Sequence, residues 1–333
     1  MSEPNNTLKA HKVVAVHIPD FSRPTFFVEG EDRCSFLQGI TSQDMEKQVP
    51  GNYVYALFLN PKARILFDAW CSFFPDRIGL HPAPGTGEAF SAHLKKYLFF
   101  RTKAHIIDKS EAYREIHIVG PQTFALLLPF LESDNTGSSI RSLKGGGWAF
   151  IRPSLFQNDL PVGPLVDLLI PEEAFSEMSQ KITSAAMEMG GILLDDDGYI
   201  CFQTEKGIPL FPTELNESHF PAEAGLDSAG VSYNKGCYVG QEPVTRLKFQ
   251  GHLNRQLSGF VLPDPPQTPF SFPLTITNPA DGTEAGFLTR VVHSPMMGKT
   301  IGLGYLKKGF WEADTELLLP DARKLLVHPL PFL

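Results

Sequence analysis

The chain has no long apolar run. Its longest stretch of note, Phe124 to Leu131, is eight residues and already contains Pro129, far short of the roughly 20 needed to span a bilayer. Cysteine is scarce. The four that exist, Cys34, Cys71, Cys201 and Cys237, lie far apart with no C-x-x-C pair and no histidine at zinc-finger spacing, so neither a disulfide framework nor a structural metal site is expected. Positive charge is also in deficit: Lys+Arg 29 against Asp+Glu 37 leaves a net charge of −8. A general nucleic-acid binder relying on whole-surface charge is thereby excluded, and direct nucleic-acid binding is not expected. The N-terminal stretch Met1 to Lys12 is polar, carries Glu3 and lacks both an apolar h-region and an Arg-rich amphipathic pattern. A cytoplasmic protein is the expectation. No internal repeat or low-complexity tract interrupts the chain.

What is present is ordinary globular composition over 333 residues, with 42% hydrophobic and 20% charged side chains. That length suggests about two domains. Proline (28) and phenylalanine (26) each make up about 8% of the chain, where proline is normally about 5%, so many short elements with proline-punctuated turns are expected. In the first half, Lys12 to Ile18, Thr25 to Val28, Tyr53 to Leu59, Arg64 to Phe74, Ile78 to His81, Ala104 to Ile107, Tyr113 to Val119, Trp148 to Ile151 and Leu165 to Ile170 read as strands. Asn60 to Ala63 reads as a hairpin turn. Asp32 to Gln38, the stretch with Phe90, Leu94, Tyr97 and Leu98, and Gly120 to Leu131 read as helices. Pro171 opens a further helix with an apolar stripe of Phe175, Met178, Ile182, Ala185 and Met189, ended by Gly190-Gly191. After about Arg255 the texture changes to six short β runs, Gln256 to Leu262, Leu274 to Thr277, Glu284 to Val292, Thr300 to Leu306, Glu316 to Leu319 and Lys324 to Val327, which suggest a small barrel. Pro263 to Pro269 reads as a stiff loop inside it. The reading is α+β, with residues 8–255 forming one region and 256–333 a C-terminal β-barrel.

One segment bears on chemistry: Lys235-Gly236-Cys237-Tyr238-Val239-Gly240-Gln241-Glu242, then Pro243 and Arg246. It reads as a loop entering a helix near Gln241, with Gly236 and Gly240 permitting tight turns and close approach. Cys237 then precedes a helix N-terminus with Lys235 two residues away, a setting that favours thiolate over thiol. Charge shifts nearby. Asp195, Asp196, Asp197, Glu205, Glu214, Glu217, Glu223 and Asp227 precede the segment with only Lys206 among them. Lys235, Arg246, Lys248 and Arg255 follow against Glu242, a basic lip suited to an anionic tail.

Lys235 to Glu242 with Arg246 resembles the K-G-C-[FY]-x-G-Q-E-x-x-x-R motif of the YgfZ family, folate-binding relatives of the glycine-cleavage T-protein, an aminomethyltransferase. Phe36 to Asp44 resembles that family's F-L-x-G-x-x-[ST]-x-D block, and Asn60 to Ile65 its hairpin turn. Lys96-Tyr97 through Arg101-Lys103, Glu205-x-Gly207-Ile208-Pro209, and Pro212 to Leu226 follow in the family's order.

The resemblance implies a GcvT/YgfZ-like fold, in which two interleaved α+β lobes and a C-terminal barrel surround a central funnel holding tetrahydrofolate non-covalently. It implies a protein that supports iron–sulfur enzymes, including those that modify tRNA, through transient contacts, acting as a monomer with Cys237 as the catalytic group. Cofactor contacts are expected from Glu205, whose carboxylate matches the 2-amino-pyrimidinone edge of a pterin, and from Tyr97, Tyr238, Lys235 and Arg246. The alternative is a folate-dependent one-carbon transferase using Glu88 or Glu205 as the positioning carboxylate. The transferases carry an N-A-x-N-type loop with an aspartate where this chain has His81 to Glu88.

Overall fold

The computed structural model describes residues 6–132, 137–156, 163–263 and 271–333. The chain opens with α1 (Asn6–Lys12) and β1 (Ala15–His17). It then builds β2 (Phe26–Glu29), α2 (Arg33–Ile40), β3 (Tyr53–Leu59), β4 (Ile65–Phe73), β5 (Arg77–Pro82), α3 (Gly87–Tyr97) and β6 (His105–Asp108). Next come β7 (Tyr113–Val119), α4 (Thr123–Leu127), β8 (Ile140–Ser142), β9 (Trp148–Ile151), β10 (Val166–Pro171), α5 (Glu172–Glu188) and β11 (Ile192–Leu194). Three helices, α6 (Asp196–Glu205), α7 (Asp227–Gly230) and α8 (Gln241–Gln250), lead to the last strands. These are β12 (Arg255–Leu262), β13 (Leu274–Thr277), β14 (Glu284–Ser294), β15 (Lys299–Lys307), β16 (Glu316–Leu318) and β17 (Lys324–His328).

One sheet has the order β11-β1-β7-β10-β9-β8 and the other β3-β4-β5-β2-β6. Because β2 to β6 leave and re-enter between β1 and β7, the two α+β lobes are interleaved along the chain. The last six strands close into a barrel, β12-β15-β14-β13-β16-β17. The expected mixed architecture with a C-terminal barrel is what the chain adopts.

Period-2 alternation in β3 decides where the lobes meet. Tyr53, Tyr55, Leu57 and Leu59 join Trp70 in a core shared with Ile140, Phe150 and Leu169 of the first sheet, while Ala56 and Phe58 pack toward Phe90 and Leu94 of α3. One strand thus faces both its own helices and the partner lobe.

Several local readings change. Lys12 ends α1 instead of starting a strand, because the polar Asn6–Lys12 helix has too little apolar periodicity to be seen in sequence. The helix read over Gly120 to Leu131 is α4 followed by a 3-10 turn at Leu128–Phe130, since Pro129 has no N–H to continue an α-helix. β8 and β11 were not anticipated. At three residues each they are too short for periodicity to register. All but Pro263 of the proline-rich stretch 263–269 lies outside the described residues.

Candidate functional site

Three sequence blocks far apart in the chain dock onto one another around the cysteine loop. The Lys235 ammonium donates to the carbonyls of Gln38 (2.8 Å), Thr41 (2.7 Å) and Gln43 (2.7 Å) at the end of α2. All three of its N–H groups are spent there, and a cation at a helix C-terminus complements the dipole. Burial pulls its pKa down to about 8, against the opposing pull of Asp44 and Glu46. The Val239 N–H bonds to the Gly39 carbonyl, and Ser232 N–H to the Ser42 carbonyl. Gly240, at φ +85°, lies against the β3–β4 turn, where a Cβ would stand 2.7 Å from the Asn60 carbonyl oxygen. Only glycine fits. Gly236 is different: it has open space around it and no left-handed backbone, so the tight turn expected there belongs to Gly240 alone.

On this frame Cys237 is exposed, four residues ahead of the first residue of α8. Cys34 is half-buried, and Cys71 and Cys201 are buried; burial pushes both of those thiols well above the usual range, with Glu205 adding to the effect at Cys201. Tyr238 turns inward, 8% exposed, into the inter-lobe core, and burial raises its pKa to about 12. Together with Arg246, Pro61 and the residues between 239 and 243 it lines a surface cleft of about 490 Å³.

The remaining expected cofactor residues do not converge. Glu205 is fully buried, with one oxygen paired to His11 Nε2 at 2.5 Å and the other accepting from Ser294 Oγ at 2.5 Å. Its carboxylate is committed to holding α1 and β14 onto α6. Tyr97 lies at the end of α3, partly packed on that lobe's core and 5.2 Å from the His93 ring. Glu88 sits exposed in the first turn of α3. The basic lip is largely used internally. Lys248 pairs with Asp227 (2.7 Å) and Arg255 with Glu223 (3.1 Å), and Lys235 is consumed as described. Among the described residues Arg246 alone of the four has no carboxylate or carbonyl partner.

A second constellation lies where the lobes meet, and the sequence reading missed it. Arg152 grips Asp167 through Nε and Nη2, each 2.6 Å from a carboxylate oxygen. Asp167 also pairs with His117 Nδ1 (2.7 Å) and accepts from the Tyr53 hydroxyl (3.1 Å). Burial alone would raise this carboxyl's pKa; Arg152 and His117 outweigh it and hold the group well below the usual carboxylate range. Glu115 is ion-paired with Arg23 (3.5 Å). Glu115, His117 and Asp167 place ligand atoms within 4.8 Å of one another, but Arg152 already occupies both Asp167 oxygens, so the group works as a charge network and not as an ion cradle.

Beside it the rings of His17, His117 and Tyr199 stack, with Tyr199 centroids 4.3 and 4.8 Å from the two imidazoles. Burial and the neighbouring His117 bring His17 down to about 4 despite Asp196 at 2.7 Å. Asp68 accepts from the Tyr55 hydroxyl (2.9 Å), and its burial raises its pKa. Asp68 Oδ1 and Tyr199 Oη are buried with no hydrogen-bond partner among the described residues. A cavity of about 360 Å³ adjoins this network, walled by Trp70, Arg152, Leu155, Phe156 and Ile208, and Trp70 continues into a ring stack with Tyr53 and Phe150. The missed signal was in the strands. Glu115 and His117 stand two apart in β7, with Asp167 in β10 and Asp68 in β4, polar groups on faces that alternation assigns to the interior.

Residues 255–331 match the glycine cleavage T-protein C-terminal barrel domain. The chain is similar to a chloroplastic protein of Arabidopsis thaliana that carries a provisional transferase name, 27% identical over 96% of this chain and 71% of the relative. It is also similar to a mitochondrial homologue of the iron–sulfur cluster assembly factor IBA57 from Dictyostelium discoideum, 24% identical over 77% of this chain and 65% of that protein. Among solved structures it resembles the glycine cleavage system aminomethyltransferase T of Bartonella henselae, with TM-score 0.83 and 19% identity over 100% of this chain and 91% of the other. No helix among the described residues is long and apolar enough to cross a membrane. The chain therefore adopts the GcvT-like aminomethyltransferase fold and ends in a glycine cleavage T-protein C-terminal barrel.

Proposed function

We propose that this protein binds tetrahydrofolate and supports the assembly or repair of iron–sulfur enzymes, those that modify tRNA among them, with Cys237 as its reactive group. The observation that carries the reading is the presentation of the Cys237 thiol. It is exposed, while the residues on either side of it are pinned to α2 and the β3–β4 turn by Lys235, Val239 and Gly240. A loop held this firmly around an exposed thiol favours a partner-facing task over a packing one. Similarity to an IBA57 homologue supports the iron–sulfur side of the reading. The inter-lobe cavity walled by Trp70, Arg152 and Ile208 supports the folate side.

Two measurements test it. Calorimetric titration with tetrahydrofolate should show saturable binding that Ile208→Trp, which fills the cavity, weakens at least roughly tenfold while circular dichroism stays unchanged. Complementation of an iron–sulfur enzyme deficit should be lost with Cys237→Ser although folate binding persists. Absence of folate binding by the parent chain removes the first half, and full complementation by Cys237→Ser removes the second.

A second reading, folate-dependent one-carbon transfer, draws on one feature. Asp68, two residues before the cavity-wall residue Trp70, combines a raised pKa with an oxygen that has no hydrogen-bond partner among the described residues, properties that suit a general acid or base. Methylenetetrahydrofolate formed from tetrahydrofolate and an S-aminomethyl thiol, with ammonia and the free thiol released, and lost in Asp68→Asn, would favour it.

A further inference from the structure

The segment between α3 and β6 departs from the rest of the molecule in charge and in surface chemistry. From Ala89 to Ile107 there is no acidic residue, while Lys95, Lys96, Arg101 and Lys103 all fall within nine positions. This occurs in a chain of net charge −8. At its tip Phe99 is 70% and Phe100 92% exposed. Single apolar side chains on a surface need no explanation, but two adjacent, almost fully solvated phenylalanines inside a basic stretch do.

The tip is held in place by hydrogen bonds. Leu98 N–H bonds to the Lys95 carbonyl (3.2 Å), and Thr102 N–H closes a turn on the Phe99 carbonyl (2.9 Å). Lys103 N–H donates to Asp32 Oδ2 (2.8 Å), and its carbonyl accepts from Asp32 N–H (3.1 Å). The two phenyl rings therefore project from an anchored turn. The Arg101 guanidinium sits 5.2 Å from the Phe100 ring centre, which sets a cation beside an aromatic face. Lys103 is tied to Glu31 at 2.7 Å; Lys95 and Lys96, both exposed, are available on the last turn of α3.

We propose that residues 95–101 form a docking platform for single-stranded nucleic acid. Unpaired bases stack on Phe99 and Phe100, and phosphates pair with Lys95, Lys96 and Arg101. Base–aromatic stacking tolerates any sequence because every base has a π-face, and cations spaced along such a platform follow the backbone. A protein partner fits less well, since lysine is depleted in protein–protein interfaces whereas compact ammonium groups suit phosphate. The net charge of −8 repels a polyanion from the remaining surface and confines contact to this tip, so affinity depends on local geometry and falls with salt. The contacts invoked here, from Phe99, Phe100, Lys95, Lys96 and Arg101, include no residue that walls the cavity proposed for folate.

Fluorescence anisotropy of the full chain with fluorescein-labelled U12 RNA and dT12 DNA tests this directly. Saturable binding is expected, with log K falling against log salt with a slope of roughly −2, the value for about three phosphates on a single strand. Phe99→Ala with Phe100→Ala should weaken binding at least tenfold without lowering Tm. Lys95→Gln with Lys96→Gln should flatten the slope by about 1.4, and Phe249→Ala, an exposed phenylalanine elsewhere (69%), should change nothing. A preference for U12 over dT12 would identify RNA through its 2′-hydroxyl as the ligand. The proposal is overturned if neither oligonucleotide binds at 50 mM salt, or if the Phe99/Phe100 variant binds as well as the parent chain. It is equally overturned if poly-glutamate or phosphatidylserine vesicles bind the tip more tightly than U12 and dT12, which would assign it to an acidic protein or a membrane surface.

Discussion

Replacing His219 by phenylalanine should stabilise this protein and flatten its acid response. His219 is 2% exposed, stacks on Tyr305 with centroids 4.0 Å apart, and has no partner for either ring nitrogen among the described residues. Leaving a buried donor or acceptor unpaired costs about 1–3 kcal/mol, and a phenyl ring keeps the stack while removing both nitrogens. His219→Phe is therefore expected to gain about 1–2 kcal/mol at pH 7.5. The acid response follows from linkage. Burial, with Arg255 and Arg64 nearby, brings His219 to about 3; burial and His117 bring His17 to about 4; burial brings His81 to about 3. In the unfolded chain these groups titrate near 6.5. Between about pH 6.5 and 4 the unfolded state binds more protons, so stability falls as pH falls through that window. At pH 5.5 each buried neutral imidazole costs about 1.4 kcal/mol relative to pH 8, about 4 kcal/mol for the three, a large share of an ordinary domain's stability. Urea unfolding followed by circular dichroism at pH 5.5, 6.5 and 7.5 should show a loss of at least that size, with His219→Phe losing about 1.4 kcal/mol less than the parent. If the variant is destabilised by 1 kcal/mol or more, or loses stability on acidification as steeply as the parent, the imidazole has a partner and the reasoning is wrong.

Lys235→Met keeps the stem but removes three charge-assisted bonds to carbonyls at the end of α2. It should cost about 2–4 kcal/mol and open the 235–240 loop to limited proteolysis, and an unchanged cleavage pattern would show that the ammonium does not hold it. Asp167→Asn leaves Arg152 buried without its counter-charge and should cost about 3–5 kcal/mol. The Asp167 contribution is complete above about pH 4, where the unfolded carboxyl is ionised, and is lost as pH falls further toward the depressed folded pKa; equal unfolding midpoints for variant and parent at pH 7 would contradict this. Alkylation by iodoacetamide should label Cys237 first, Cys34 more slowly, and Cys71 and Cys201 only on unfolding. Cys237→Ser should remain within about 0.5 kcal/mol of the parent in urea, and protection of Cys237 in the native state would refute its exposure.

Much of the molecule was legible before its structure. β3, β7, β9 and β13 fall where alternation and β-branched or aromatic content put them, and the barrel strands follow one another with proline and glycine turns between. The cysteine loop was legible because glycine at a left-handed position and proline in a first helical turn are local requirements. Local signals failed where partners are distant. Lys235 looked like a cation near a thiol or an anionic tail; its three carbonyls come from residues nearly two hundred positions earlier. Glu205 looked like a free carboxylate at a helix end, and His11 and Ser294 close over it from opposite ends of the chain.

The sequence by itself determined most of the longer elements, the barrel and the position of the cysteine loop, because periodicity, turn chemistry and backbone constraint act over a few residues. Only the tertiary structure decided which polar groups are spent and which are available. Desolvation makes each buried charge seek a partner, and which partner it finds depends on how β1, the inserted β2–β6 lobe and β7–β11 close on one another. That closure put Arg152 on Asp167 at the wall of a cavity and left one oxygen of Asp68 and the hydroxyl of Tyr199 without a hydrogen-bond partner among the described residues.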